Sequence, residues 1–125
     1  MADKTVAEKT HVRPGTAIAV VNEVPGVVGA LGLPAGVTFV EAAEAQLVFL
    51  FVHTRAELDD MMPAAVADLP SGAALWVFYR KGSRAAGLDM SRDDIWAAAE
   101  ALGMRPLGLV SIDSTWSAFR LRCAH

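Results

Sequence analysis

Apolar residues fall in short blocks along this chain, and the clearest block is Leu47 to Val52, L-V-F-L-F-V, between the polar Gln46 and His53. An unbroken run of this length, rich in Val and Phe, predicts a strand buried on both faces. A helix start follows at once. Thr54 can accept from the backbone N–H of Glu57, and the Glu57 carboxylate can reach back to the Thr54 N–H, a capping box directly behind the strand. Strand followed immediately by helix is the repeating unit of a parallel α/β sheet.

The other blocks fit that unit. Thr16 to Val21 is a first strand between Gly15 and Asn22, and Ala73 to Tyr79 is another beyond the turn Leu69-Pro70-Ser71-Gly72. Val24 to Leu33 is apolar but broken by Pro25, Gly26, Gly29 and Gly32, which permits at most a short helix begun at Pro25. Val37 to Glu41 is a second strand, and only residues 42–46 separate it from the central one. Five extended residues span about 17 Å, whereas a parallel return normally takes about a dozen residues or a helix. Either these two strands pair antiparallel, or the second lies at the sheet edge beside the first and the chain crosses back without a helix. The second arrangement is favoured.

Leu58, Met61, Met62, Ala65, Val66 and Leu69 recur at helical spacing and make one apolar stripe, with the methionines as core filler. Pro63 lies within the stripe and predicts a kink or restart. Ser91-Arg92-Asp93-Asp94 resembles a second capping box, opening a helix whose buried face is Ile95, Trp96, Ala99 and Leu102 and which stops at Gly103. Pro106 to Ile112 and Trp116 to Arg122 are joined by a turn too short for anything but an antiparallel hairpin. In the last strand Phe119, Leu121 and Cys123 alternate with Arg120 and Arg122, so Cys123 is expected to be a buried, inert thiol.

Composition narrows the picture. At 125 residues the chain is expected to form one domain from residue 13 to 125, preceded by a polar arm over residues 1–12. With 54% apolar and 20% charged residues it holds more apolar side chains than a small core can hide, so a homodimer is expected. A net charge of −3 disfavours nucleic-acid or anionic-membrane partners. A single cysteine, no apolar leader and no run of about 18 apolar residues point to a soluble, cytoplasmic protein without disulfides.

Candidate chemistry gathers at the strand ends, where open α/β sheets bind their ligands. Arg80-Lys81-Gly82-Ser83-Arg84 is a local candidate for a small anion, against the plainer account of a solvated basic loop. His53 ends the central strand near Asn22, Arg80 and Asp113, where it could serve as a general base or a ligand contact, against the plainer account of a polar exit from the core. His11, His53 and His125 lack metal spacing, and neither H-E-x-x-H nor G-x-S-x-G occurs.

The succession L-P-S-G-A-A-L-W-V-F-Y-R-K, S-R-D-D-I-W-A-A-A-E-A-L-G-M and L-G-L-V-S-I-D-S-T-W-S-A-F-R-L-R resembles an uncharacterised family of small bacterial α/β proteins, most specifically over Asp113 to Leu121. In outline that half is also similar to the C-terminal half of class I S-adenosylmethionine-dependent methyltransferases, whose sheet closes with an antiparallel hairpin. The resemblance implies a reduced Rossmann-like, mostly parallel sheet. It does not imply an intact cofactor site. Those enzymes follow the first strand with a glycine-rich loop that lets backbone N–H groups approach the cofactor, whereas here the strand runs into Asn22-Glu23-Val24-Pro25-Gly26. Glu41 stands about where a ribose-binding acid is expected. The leading expectation is a non-catalytic module that binds a ligand or partner and carries no cofactor. The alternative is a degenerate methyltransferase-like or anion-binding enzyme with a pocket of Asn22, Glu23, Glu41, His53, Arg80, Lys81, Ser83, Asp113 and Trp116. A third reading is a structural homodimer that has lost an ancestral site.

Overall fold

The computed structural model of the protein describes residues 12, 14–23, 36–70, 72–80, 92–112 and 115–123. In chain order these form β1 (Ala17–Val21), β2 (Thr38–Phe39), a 3-10 turn (Ala42–Glu44), β3 (Leu47–Val52), α1 (Arg55–Asp68), β4 (Ala74–Arg80), α2 (Arg92–Ala101), β5 (Met104–Ser111) and β6 (Trp116–Cys123). The strands make one sheet in the order β2-β1-β3-β4-β6-β5. The pairs β1–β2, β1–β3 and β3–β4 are parallel, and the pairs β4–β6 and β5–β6 are antiparallel. This is the reduced Rossmann-like sheet with a C-terminal hairpin that the pattern predicts. The arm over residues 1–11, the short helix after Pro25 and the cap at Ser91 lie outside the described residues, as does the side chain of Cys123.

Every residue of β3 is buried, and its side chains divide by a period of two. Val48, Leu50 and Val52 point to the face that packs against Leu58, Met62 and Ala65 of α1 and Ile95 and Ala99 of α2. Leu47, Phe49 and Phe51 point to the other face, with Trp76, Phe78 and Trp116. There Phe51 stacks on Phe78 at 4.6 Å between ring centroids, Phe49 tilts against Phe78 at 5.1 Å, and Trp116 meets Phe51 edge-on at 5.6 Å. A strand with core on both sides has to be apolar throughout, which is why no polar residue interrupts it. Val12, the last residue of the expected arm, is buried against this second cluster.

The short link between β2 and β3 works because of register. Ile18 of β1 pairs with Phe39 on one side and with Leu47 on the other, so the two outer strands meet β1 at the same height. The chain needs to move sideways by only two strand spacings, about 10 Å, and the 3-10 turn suffices. β2 therefore takes the edge position beside β1. Gln46 fastens the crossing: its N–H donates to the Ala17 carbonyl at 2.8 Å and its Oε1 accepts from the Ala17 N–H at 2.9 Å.

Two helical expectations are corrected. Pro63 does not restart α1, which runs unbroken from Arg55 to Asp68 with Pro63 on its exposed side. There the missing N–H leaves its carbonyl partner to solvent rather than to the core. Trp96 is not on the buried face of α2. Ile95 and Ala99, four residues apart, occupy that face, and Trp96, a further 100° round the helix, stays 48% exposed and meets Phe119 edge-on at 5.9 Å. Gly103, at φ +74°, ends the helix as expected.

Candidate functional site

The C-terminal ends of β1 and β3 lie side by side, and the residues just beyond them form one hydrogen-bonded group. Asn22 leaves β1 with a left-handed backbone, φ +59°, which Asn tolerates better than most residues. That turn aims its amide across to the end of β3. Its Nδ2 donates to the Phe51 carbonyl at 2.8 Å and to Glu57 Oε1 at 2.9 Å, so both N–H bonds are spent on acceptors.

Glu57 Oε1 also accepts from the His53 backbone N–H at 2.9 Å and lies 2.9 Å from His53 Nδ1. The expected reach of this carboxylate to the Thr54 N–H is therefore corrected: it goes one residue further back. The other half of the capping box stands, with Thr54 Oγ1 accepting from the Glu57 N–H at 3.1 Å. Burial alone would raise the Glu57 carboxyl, but the His53 side chain, the His53 N–H, the charge of His53 and Asn22 together hold it below its ordinary value of 4.5. An ionised carboxylate only accepts, so the ring nitrogen that faces it, His53 Nδ1, is the donor. Among the described residues Nε2 makes no hydrogen bond, and the ring faces Trp116 edge-on at 5.6 Å.

The predicted site residues thus divide. Asn22, His53 and Trp116 are brought together around Glu57. Glu23 and Glu41 meet elsewhere, in an open cavity of about 610 Å³ at the β1–β2 edge that Val20, Phe39, Val40 and Glu44 also line. Phe39 is 59% exposed there. Arg80 ends β4 exposed, paired in register with Trp116. Lys81, Ser83 and Asp113 lie outside the described residues. Sequence reasoning took Glu57 for a helix cap alone; its spacing of four from His53 was the signal for a pair. Among the described residues no three His, Cys, Asp or Glu side chains are placed to hold a metal, and no helix is long and apolar enough to cross a membrane.

No protein-family model and no curated protein matches the chain. Solved structures do. A ribosomal protein L11 methylase from Lactobacillus delbrueckii subsp. bulgaricus aligns over 96% of this chain and 75% of its own length, with TM-score 0.62 and 11% identity. A SAM-dependent methyltransferase from Aquifex aeolicus aligns over 93% of this chain and 86% of its own, with TM-score 0.60 and 10% identity. The B. subtilis M1A22 tRNA methyltransferase TrmK covers 98% of this chain and 67% of its own, with TM-score 0.57 and 10% identity. The likeness is one of fold: the chain carries the Rossmann-like sheet of class I methyltransferases.

Proposed function

We propose that this chain is a non-catalytic module on a methyltransferase-like sheet that binds a small hydroxylated ligand of nucleoside type at the β1–β2 edge. The observation that supports it most is the commitment of Asn22. Both of its side-chain N–H bonds are tied to Phe51 and Glu57, so the first residue after β1 closes the gap toward β3. In the sequence Pro25 follows three residues later, and proline has no N–H to offer a ligand. Beside this closed gap, the cavity of Glu23, Glu41 and Glu44 stays open, with carboxylates to accept from ribose-like hydroxyls and Phe39 as a surface for a flat ring. A small anion is the second ligand of this reading, with Arg80, exposed at the end of β4, offered as its contact. The same reading has the protein act in the cytoplasm without nucleic acid or membrane, consistent with its net charge of −3, and self-associate, consistent with its apolar surplus.

The test is a thermal-shift screen against adenosine, S-adenosylhomocysteine, S-adenosylmethionine, nucleotides and phosphate. At about 100 times its dissociation constant a ligand stabilises by about 2.7 kcal/mol, several degrees for a domain of this size. Adenosine and S-adenosylhomocysteine are expected to raise the melting temperature, and Glu41→Gln to abolish the rise. A rise unaffected by Glu41→Gln and Glu23→Gln, or no rise with any compound, overturns the assignment of this cavity.

One observation favours a second reading, that of an enzyme. Glu57 holds His53 by Nδ1 at the strand ends and leaves Nε2 without a hydrogen bond among the described residues, the placement a general base would need. Transfer of the methyl group of S-adenosylmethionine to an added amine or hydroxyl compound, with S-adenosylhomocysteine and a proton as the other products, lost in His53→Asn, would establish that reading in place of the first.

A further inference from the structure

The outer side of the hairpin carries a second feature, separate from the strand-end site. Trp96, Leu107 and Leu109 are 48%, 45% and 42% exposed, and they are three of the four large apolar residues left exposed among the described ones. All three line one cavity of about 380 Å³ between α2 and β5, floored by Phe119 and rimmed by Arg92 and Asp93. A single exposed apolar residue is ordinary, but three around one hollow mark a contact surface. The local backbone causes the exposure. The register of β5 against β6 slips between Pro106 and Gly108, so Leu107 is the extra residue of a bulge, and Gly108 adds no side chain to cover its neighbours.

Charge decides what fits. Arg92 and Asp93 stand next to each other, both exposed, and neither makes an ion pair among the described residues. An apolar hollow beside adjacent opposite charges is self-complementary: turned about a two-fold axis, each charge meets its opposite while the apolar residues meet each other. Adding a strand to the β5 edge fits less well, because proline and a bulge both obstruct ladder pairing there. We infer that a second copy of this chain docks on the α2–β5 groove, with Trp96, Leu107 and Leu109 against their counterparts and Arg92 against the partner's Asp93. This rests on the reading that the chain self-associates and adds the face through which it does so.

Sedimentation equilibrium across a range of concentrations tests both. The protein is expected to be a dimer at micromolar concentration. Leu109→Glu, at an exposed position, should yield a monomer with an unchanged circular dichroism spectrum. Arg92→Asp should weaken association about tenfold, since it turns two attractive contacts into repulsive ones. The double exchange Arg92→Asp with Asp93→Arg should restore it. A dimer indifferent to Leu109→Glu and to Arg92→Asp overturns this face while leaving self-association standing. A monomer at all concentrations overturns both.

Discussion

Replacing Asn22 separates what its side chain does from what its backbone does. The side chain gives a neutral hydrogen bond to the Phe51 carbonyl and a charge-assisted one to Glu57. Such bonds contribute about 1 and about 2 kcal/mol when buried, and partial burial returns some of each to water, leaving about 2 kcal/mol for the pair. The backbone sits at φ +59°, where a Cβ without a local hydrogen bond costs about 1 kcal/mol. Asn22→Ala loses the bonds and takes on this strain, which Asn tolerates, for a total of about 3 kcal/mol. Asn22→Gly loses the same bonds but has no Cβ to be strained, and should be the milder change by about 0.5–1 kcal/mol after its own entropy cost. Asn22→Asp tolerates the backbone but places a carboxylate where an N–H stood, 2.8 Å from one carbonyl oxygen and 2.9 Å from another carboxylate, and should be the worst of the three. Urea unfolding at pH 7 with a constant m-value reads the series directly. The order expected is wild type, Gly, Ala, Asp. Asn22→Ala within 0.5 kcal/mol of wild type, or Asn22→Asp as stable as Asn22→Ala, would refute the geometry on which the closed gap rests.

Four further outcomes follow from the same contacts. Glu57 has its folded pKa held below the ordinary 4.5, so it contributes stability that is fully present above that value and is lost as pH falls through the folded pKa; Glu57→Gln should flatten this acid limb in urea melts between pH 7 and 3. Nitrogen-15 spectra of the His53 ring should show the proton on Nδ1 in the wild type and lose that preference in Glu57→Ala. Thr54→Ala removes the oxygen that accepts from Glu57 N–H and should cost about 1 kcal/mol by chemical unfolding. Phe78→Ala empties the centre of the aromatic cluster formed with Phe49 and Phe51 and should cost about 3–5 kcal/mol, measured the same way.

The architecture was legible wherever local chemistry and global packing agree. Leu47 to Val52 has one explanation, a strand with core on both faces, and the structure gives it those bounds. Chain reach left β2 two arrangements and favoured the edge place it takes, but it gave no register. That Phe39 and Leu47 both stand level with Ile18 is a pairing between distant residues, and no periodicity records it. Trp96 shows the limit from the other side. Its spacing from Ala99 fits the stripe of α2, but Ile95 takes the buried place beside it and Trp96 stays half exposed against Phe119, a choice between neighbouring positions that only the packing makes.

The candidate site was legible as a list of residues and not as a network. Thr54 and Glu57 satisfy a helix-capping pattern, and a local pattern so complete leaves no residue over to ask about. Yet a carboxylate has more acceptor positions than a cap uses, and Glu57 Oε1 takes three donors from two other positions in the chain. One donor comes from Asn22, thirty-five residues away, whose left-handed turn is what brings it across from β1. The cap, the closed gap and the orientation of His53 are therefore one arrangement with Glu57 at its centre. A substitution there cannot change the helix start without also releasing Asn22 and the imidazole. A ligand that needed the gap open would have to displace Asn22 from Phe51 as well as from Glu57, whereas one held by Glu23 and Glu41 at the β1–β2 edge displaces neither. That difference in cost is the physical reason to look for the ligand at the edge of the sheet before looking at its centre.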